Sequence, residues 1–225
     1  MSSMYEERNL RRALAASVET HSGEQAKRAA EHIAGAGPAK KSKRPALRSA
    51  AARELHGQGW TIIPSSAFNM LEAYRELINE KLSGEKEVVF NHKVLEAGAV
   101  NDKLRLQVAL DGDVGAQILA VLWQELTRAD VVSDDHNANA LVALLSEAGC
   151  ARQPCHTDLD PDLLTKCTND TMPLLILVAL DKDTSLQIWP MDRDEPFELP
   201  LPQYSALVFR ADLRHAGSAY ERSNV

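Results

Sequence analysis

Apolar residues recur at helical spacing in the first half of the chain and in short strand-like runs in the second half. The helical spacing predicts helices over residues 67–83 and 112–128. Ser65 or Ser66 is a candidate N-cap of the first of these helices, because a hydroxyl there accepts a hydrogen bond from the first turn. The folded part of the chain is therefore expected to begin with helices.

Short strands are predicted on both sides of these helices. Residues 54–64 pass from a helix end through glycines into a β-branched strand, and residues 87–95 form a second strand-like run. Later in the chain, Pro, Asp, Asn and Gly separate six apolar or alternating runs, at residues 140–146, 150–157, 173–180, 185–189, 197–201 and 205–210. Short strands at this spacing are typical of a barrel or sandwich rather than of a parallel βαβ sheet.

Residues 1–50 differ in composition from the rest of the chain. They are predicted to form a basic tail, disordered or loosely helical, ahead of a domain that spans residues 51–225. The tail has ten Lys and Arg residues against five acidic residues, a net charge of +5. Because the whole chain carries −7, residues 51–225 carry −12. An acidic domain argues against nucleic acid as a partner.

Cysteine usage and hydropathy suggest the compartment. The three cysteines are an odd and sparse set, which argues against a disulfide framework and favours a reducing environment. The sequence lacks an apolar run of about 18 residues and the short apolar core of a secretory signal. The basic cluster at residues 40–44 is either a nuclear-import signal or part of a solvated tail. We therefore expect an intracellular protein, cytoplasmic or nuclear, without a membrane partner.

Two histidines and one aspartate form the candidate chemical centre of the β-rich part. His156 and Asp158 stand two residues apart in a predicted strand, where alternate side chains point to the same face. His215 follows the apolar strand that ends near Phe209. Two imidazoles and one carboxylate on one side of a metal leave positions open for O₂ and an organic co-substrate. This ligand set is that of non-haem Fe(II) oxygenases, whereas thiolates would favour zinc.

Other interpretations of the same residues remain open. A His-x-Asp tripeptide also arises by chance, with His156 as a hydrogen-bonded barrel residue and Asp158 as a turn cap. The acidic residues at 158–162 alternate like a calcium loop but lack the glycine and final glutamate of an EF-hand. A Cys₃His zinc site is a further alternative, although its spacing is not that of a zinc knuckle; it would use Cys150, Cys155, His156 and Cys167.

Two segments around these residues resemble the metal-binding strands of 2-oxoglutarate/Fe(II)-dependent dioxygenases, including phytanoyl-hydroxylase-like and prolyl-hydroxylase-like members. Residues 144–158 are similar to the strand that holds the first histidine and the aspartate. Residues 204–217 are similar to the strand of the second histidine. Residues 174–180 and 185–190 resemble the central strands of the family, and residues 56–64 resemble its opening strand.

The resemblance covers residues 52–225 and implies an α+β fold, with a double-stranded β-helix (jelly-roll) core and supporting N-terminal helices. It implies that His156, Asp158 and His215 bind Fe(II), and that 2-oxoglutarate and O₂ are co-substrates. Oxidative decarboxylation of 2-oxoglutarate to succinate and CO₂ would accompany hydroxylation of an unactivated C–H bond. The sequence indicates neither the substrate, a small molecule or a protein, nor the oligomeric state.

One position departs from the family pattern. The family binds the distal carboxylate of 2-oxoglutarate with an Arg or Lys on the last core strand, shortly after the second histidine. Arg222 is the only basic residue between His215 and Val225, so it is the candidate anchor, with a surface role as the alternative. The domain is therefore predicted to be truncated in its last strand, which leaves a barrel edge open. A non-catalytic jelly-roll module that keeps the metal residues is the alternative function.

Overall fold

The computed structural model describes residues 49–64, 68–84, 86–89, 103–133, 136–138, 141–159, 161–169, 171–191 and 194–225. The predicted basic tail falls almost wholly outside the described residues, as do the cluster at 40–44, the cap at Ser65 or Ser66 and most of the predicted strand at 87–95. Within the described part, no helix is both long enough and apolar enough to cross a membrane.

Helices dominate the first part of the described chain. The predicted helix at 112–128 is confirmed with the same bounds, whereas the one at 67–83 begins as a tight 3₁₀ turn before it becomes α-helical. The long helix buries a stripe three and four residues apart, as an amphipathic helix does. The elements are α1 (Ala50–Gln58), the 3₁₀ helix (Asn69–Tyr74), α2 (Arg75–Ser83), α3 (Gly112–Arg128) and α4 (Pro161–Leu164).

The strands of the described residues pair in three antiparallel sheets. Their orders are β1-β8-β5, β2-β3-β4 and β7-β6-β9. The strands are β1 (Trp60–Ile63), β2 (Glu87–Val88), β3 (Arg105–Ala109), β4 (Val142–Ser146), β5 (Leu174–Val178), β6 (Thr184–Trp189), β7 (Phe197–Leu201), β8 (Ala206–Arg210) and β9 (Arg214–Gly217). The predicted mixture of helices and short antiparallel strands is therefore confirmed.

Most predicted strands are present, with three differences. Five of the six later runs become β4 to β8. The run at 150–157 was wrongly predicted as a strand, because only Cys150 and His156 form isolated bridges there. Pro154 lies between these two residues and has no N–H to donate to a ladder. The strands β3 and β9 were not predicted.

Strand β8 separates two apolar clusters. Leu207 and Phe209 pack with residues of β6 and β7, while Ala206 and Val208 pack on the opposite face with residues of α2 and α3. All four side chains are buried. A strand covered on both faces is apolar at every position, which explains why this run does not alternate.

The segment from Tyr220 to Val225 lies along the end of β4. Ser146 and Asn224 exchange two backbone hydrogen bonds of 2.8 Å, and Cys150 forms a bridge with Tyr220. On the other side of the segment, the Leu180 N–H donates to the carbonyl of Val225 at 3.0 Å. Part of the barrel edge that the sequence predicts to be open is thus occupied by these residues.

Gly59 makes the turn between α1 and β1, and we expect its replacement by alanine to destabilise the protein. Its φ of +89° is in the left-handed region, and its N–H donates to the Leu55 carbonyl at 3.1 Å. A Cβ in this conformation costs roughly 1–2 kcal/mol. Urea unfolding of Gly59→Ala should show a loss of that size in the free energy of unfolding.

Gly57 provides the matched control. It lies within α1, and a Cβ built there meets nothing within 4 Å. Gly57→Ala should therefore stabilise the protein by about 0.5–1 kcal/mol, because alanine loses less backbone entropy in a helix. Equal effects of the two substitutions would contradict the assigned role of Gly59.

Candidate metal centre

Backbone pairing brings the two candidate histidine ligands side by side. The His156 N–H donates to the His215 carbonyl at 2.9 Å, and the His215 N–H donates to the His156 carbonyl at 2.9 Å. Directly opposed residues of an antiparallel pair project their side chains to the same face. The imidazole centroids are accordingly 4.6 Å apart. His215 is held in turn by β6, where it stands opposite Ile188.

Each imidazole is oriented by the carbonyl two residues before it. Nδ1 of His156 lies 2.8 Å from the Pro154 oxygen, and Nδ1 of His215 lies 3.0 Å from the Leu213 oxygen. A carbonyl oxygen accepts only, so Nδ1 carries the proton in both neutral rings and Nε2 holds the lone pair. This is the arrangement of metal-binding histidines in proteins, which donate their second nitrogen to a backbone or carboxylate oxygen.

Asp158 completes the group from the bend that follows His156. Its Oδ1 lies 3.5 Å from Nε2 of His156 and 3.4 Å from Nε2 of His215. One ligand atom from each of the three residues lies within 4.8 Å of the others. The Oδ1 atom is buried and receives no hydrogen bond from the described residues. A buried carboxylate oxygen in this state is well suited to a bound cation.

The charge of Asp158 is also suited to a cation. Burial raises the pKa of the Asp158 carboxyl, but the close polar contacts of this carboxyl with His156 and His215 lower it by more. The net pKa lies below its usual range, so the carboxylate is ionised at neutral pH. Two imidazole nitrogens and one carboxylate oxygen fit a divalent metal such as Fe(II).

Burial and an aromatic neighbour restrict the movement of the histidines. His156 is 8% exposed and His215 is 5% exposed. Phe209 of β8 packs edge-on to the His215 ring, with centroids 5.0 Å apart and an interplanar angle of 70°. The metal centre therefore rests directly on the apolar cluster between β8 and β6.

The competing interpretations gain no support from the described residues. His156, Asp158 and His215 are the one group of three or more His, Cys, Asp or Glu side chains found to converge among them. The cysteines are free and differ in environment, since Cys150 is buried and Cys155 is exposed. In place of a calcium loop, the short helix α4 begins at Pro161.

The predicted co-substrate anchor differs from the two buried histidines in its exposure. Arg222 is exposed, although it lies in the segment that runs along β4. Its role as an anchor therefore stays a prediction.

Sequence analysis missed a buried arginine in the same region. Arg105 is the first residue of β3 and is only 6% exposed. Its guanidinium donates to Ser146 Oγ at 3.0 Å, to the Ala151 carbonyl at 2.9 Å and to the Ser218 carbonyl. The alternation of polar and apolar residues at 105–109 indicates a strand, but this segment was not among the predicted strands.

Comparison with known proteins places the fold. Neither a family model nor a curated protein matches this sequence. Among solved structures, a prolyl-4-hydroxylase from Pseudomonas putida is similar at a TM-score of 0.53 and 15% identity, over 78% of this chain and 92% of that chain. A prolyl hydroxylase from Trichoplax adhaerens, solved with a hypoxia inducible factor peptide fragment, gives a TM-score of 0.56 and 12% identity, over 77% and 83%.

A third similar structure is named by its family. It is an oxidoreductase of the 2OG-Fe(II) oxygenase family from Burkholderia pseudomallei, with a TM-score of 0.54 and 12% identity, over 77% of this chain and 85% of that chain. At these identities the likeness concerns the fold alone. The chain has the fold of the 2-oxoglutarate/Fe(II)-dependent oxygenases, which confirms at that level the resemblance found in its sequence.

Proposed function

We propose that this protein is an Fe(II)- and 2-oxoglutarate-dependent oxygenase in which His156, Asp158 and His215 bind the iron. One observation carries the proposal: the ligand atoms of these three residues converge within 4.8 Å in a chain with the fold of such oxygenases. The carbonyl contacts that direct both Nε2 atoms to one point, and the buried Asp158 Oδ1, support it.

The proposal includes a double-stranded β-helix as the core of the domain. The chain crosses between two of the sheets from β5 to β6, from β7 to β8 and from β8 to β9: β5 and β8 lie in the sheet with β1, while β6, β7 and β9 lie in the other. Their apolar faces share one cluster, which includes Leu186, Leu199 and Leu207. This alternation of antiparallel strands between two facing sheets is the pattern of a jelly roll.

The contribution of the protein to the reaction is to hold and orient the reacting groups. When bound, iron and 2-oxoglutarate supply the oxidation of a C–H bond by O₂. His156 and His215 provide neutral nitrogen donors, and Asp158 provides one negative charge. A metal held by these three protein ligands would keep coordination positions for co-substrates. Phe209 packs edge-on against the His215 ring and supports its position.

A non-catalytic jelly-roll module is the second candidate function. The exposure of Arg222 favours it, since the predicted anchor of 2-oxoglutarate lies in contact with solvent. Such a module would bind the metal without binding a 2-oxo acid, so metal and co-substrate must be tested separately.

We expect the purified protein, under anaerobic conditions, to develop a weak visible charge-transfer band when Fe(II) and 2-oxoglutarate are added together. The band arises when the 2-oxo acid chelates the iron, so it requires both groups at one site. His156→Ala should abolish the band because it removes one of three protein ligands. Absorption spectroscopy with stepwise addition of each component measures the effect.

His136→Ala is the control for this experiment. His136 is exposed in a turn, where its Nδ1 accepts from the Ser133 N–H at 3.0 Å. This variant should keep the band. Iron binding without any band in the wild-type protein would favour the non-catalytic module, and a band that survives in His156→Ala would contradict the proposed site.

A further inference from the structure

Pro154 interrupts the backbone pairing beside the candidate metal centre. The backbones of His156 and His215 exchange two hydrogen bonds of 2.9 Å, and the next such pair of an antiparallel ladder lies two residues further along each strand. That pair would join Pro154 to Gly217. Proline has no N–H to donate, and the carbonyl of Pro154 lies 2.8 Å from Nδ1 of His156 instead. The regular pairing therefore stops at the residue that orients the first imidazole.

Gln153 supplies both of the groups that this pair lacks. Its backbone N–H donates to the Gly217 carbonyl at 3.0 Å. Its side-chain Oε1 accepts from the Gly217 N–H at 2.8 Å. A side-chain amide oxygen thus takes the place of a main-chain carbonyl in the pairing. The carbonyl of Pro154 can consequently turn to the His156 imidazole while the backbone of Gly217 stays satisfied.

The pairing on either side shows one extra residue at this point. Beyond Gly217 the same two segments meet again where Cys150 forms a bridge with Tyr220. From that bridge to the one between the two histidines, the chain takes six steps on one side and five on the other. Gln153 and Pro154 therefore both stand opposite Gly217, in the manner of a β-bulge. Bulges often lie beside active sites, where they re-aim a neighbouring side chain.

The environment of Gly217 makes the Gln153 oxygen hard to replace. Gly217 is buried, so its N–H would be costly to leave without an acceptor. A Cβ on this residue would stand 2.6 Å from Oε1, so glycine leaves the room that the amide occupies. Without Oε1, the acceptor that the ladder offers to this N–H is the Pro154 carbonyl. That carbonyl would then be drawn from the imidazole of His156.

We infer that Gln153 is a positioning residue for His156. Its amide oxygen binds the Gly217 N–H and thereby keeps the Pro154 carbonyl on Nδ1 of the imidazole. A carbonyl on Nδ1 fixes the tautomer and the orientation of a histidine that binds metal through Nε2. The inference rests on the proposed function and deepens it, since it adds a residue outside the three ligands on which their geometry depends.

His215 provides an internal reference for this role. Its Nδ1 lies 3.0 Å from the carbonyl of Leu213, which belongs to its own segment of the chain. Loss of the Gln153 oxygen should therefore disturb the imidazole of His156 more than that of His215. General loosening of the site would instead affect both rings.

Calorimetric titration of the full chain with Zn(II), which accepts the same nitrogen and oxygen ligands, tests the inference. Gln153→Leu keeps the size of the side chain but removes the acceptor. We expect it to bind Zn(II) roughly 10- to 100-fold more weakly than the wild type, the usual effect of losing a group that supports a metal ligand. Gln153→Glu keeps an oxygen acceptor and should restore most of the affinity.

Gln203→Leu is the matched control. Gln203 is half-buried like Gln153, and its side-chain amide also makes one hydrogen bond to the backbone, at 2.9 Å to the Leu180 carbonyl. This variant loses a bond of the same kind away from the histidines, so it should keep the wild-type affinity for Zn(II). Equal affinities of Gln153→Leu and Gln203→Leu, both folded, overturn the inference.

Proton NMR of the Zn(II)-loaded proteins gives a readout that a merely structural role would not move. The Nδ1 proton of each imidazole is held by a carbonyl and should give its own downfield signal. In Gln153→Leu the signal of His156 should shift or broaden while that of His215 stays in place. A change of equal size at both histidines, or at neither, overturns the inference.

A second variant covers the case in which Gln153→Leu does not fold. Gln153→Asn keeps the amide on a shorter side chain, which brings its oxygen short of the Gly217 N–H. Its affinity for Zn(II) should fall severalfold, and an unchanged affinity overturns the inference.

The titration of His156→Ala distinguishes this inference from the proposed function. Zn(II) binding that survives unchanged in His156→Ala overturns the proposed function, and this inference with it. Zn(II) binding that requires His156 but is equal in the wild type and in folded Gln153→Leu overturns only the role of Gln153.

Discussion

His215→Ala should bind Fe(II) at least about 100-fold more weakly than the wild-type protein, beyond the loss typical of residues that merely support metal ligands. The substitution removes one of two nitrogen donors whose Nε2 atoms face Asp158 Oδ1, here at 3.4 Å. The remaining histidine and carboxylate form an incomplete set that water must complete. Anaerobic calorimetric titration with Fe(II) measures the affinity of both proteins.

The control for this titration is again His136→Ala, which removes an exposed imidazole outside the converging group. Its affinity for Fe(II) should equal that of the wild type. Unchanged affinity in a folded His215→Ala variant would refute the assignment of His215 as a ligand, whatever the activity of the protein.

Phe209→Ala should lower the free energy of unfolding by about 3–5 kcal/mol, the usual cost of removing a buried phenylalanine ring. Phe209 is 4% exposed and packs in the cluster shared by β6, β7 and β8. The cavity left by the ring would also lie against His215, whose imidazole it contacts edge-on. Urea unfolding monitored by circular dichroism gives the change in stability.

Phe68→Ala is the matched control, because Phe68 is fully buried in the other apolar cluster. We expect a loss of stability of similar size. The milder Phe209→Leu should weaken Fe(II) binding, since leucine fills part of the space but does not support the His215 ring. The matched Phe68→Leu should leave the affinity unchanged. Equal affinities in the two leucine variants would show that Phe209 has no part in positioning His215.

The helices and most strands could be predicted because their signals are local. The stripe of α3 repeats every three to four residues, so the sequence indicates its bounds without reference to a partner. The end of α1 at Gln58 and the start of β1 at Trp60 follow from a glycine that tolerates a positive φ. In each case the residues that form the element also carry the information that specifies it.

Local signals failed where pairing decides the structure. The apolar or alternating pattern of residues 150–157 predicts a strand, but Pro154 has no N–H to donate, and the one bridge from this run to β9 is that of His156 with His215. Strand β3 is stabilised by β2 and β4 on either side, so its short alternating sequence was not sufficient to identify it. The burial of Arg105 was not predicted for the same reason, since it depends on the strand that the sequence prediction left out.

The sequence by itself determined the types of metal ligand, since its residues supply two imidazoles and a carboxylate. It also determined the helices, because the spacing of their apolar residues is a local signal. Only the tertiary structure decided that His156 and His215 meet, because the reciprocal hydrogen bonds between them join distant parts of the chain. It also decided that Arg105 is buried near them while Arg222 faces solvent. Burial depends on what covers a residue, and those covering groups come from other strands.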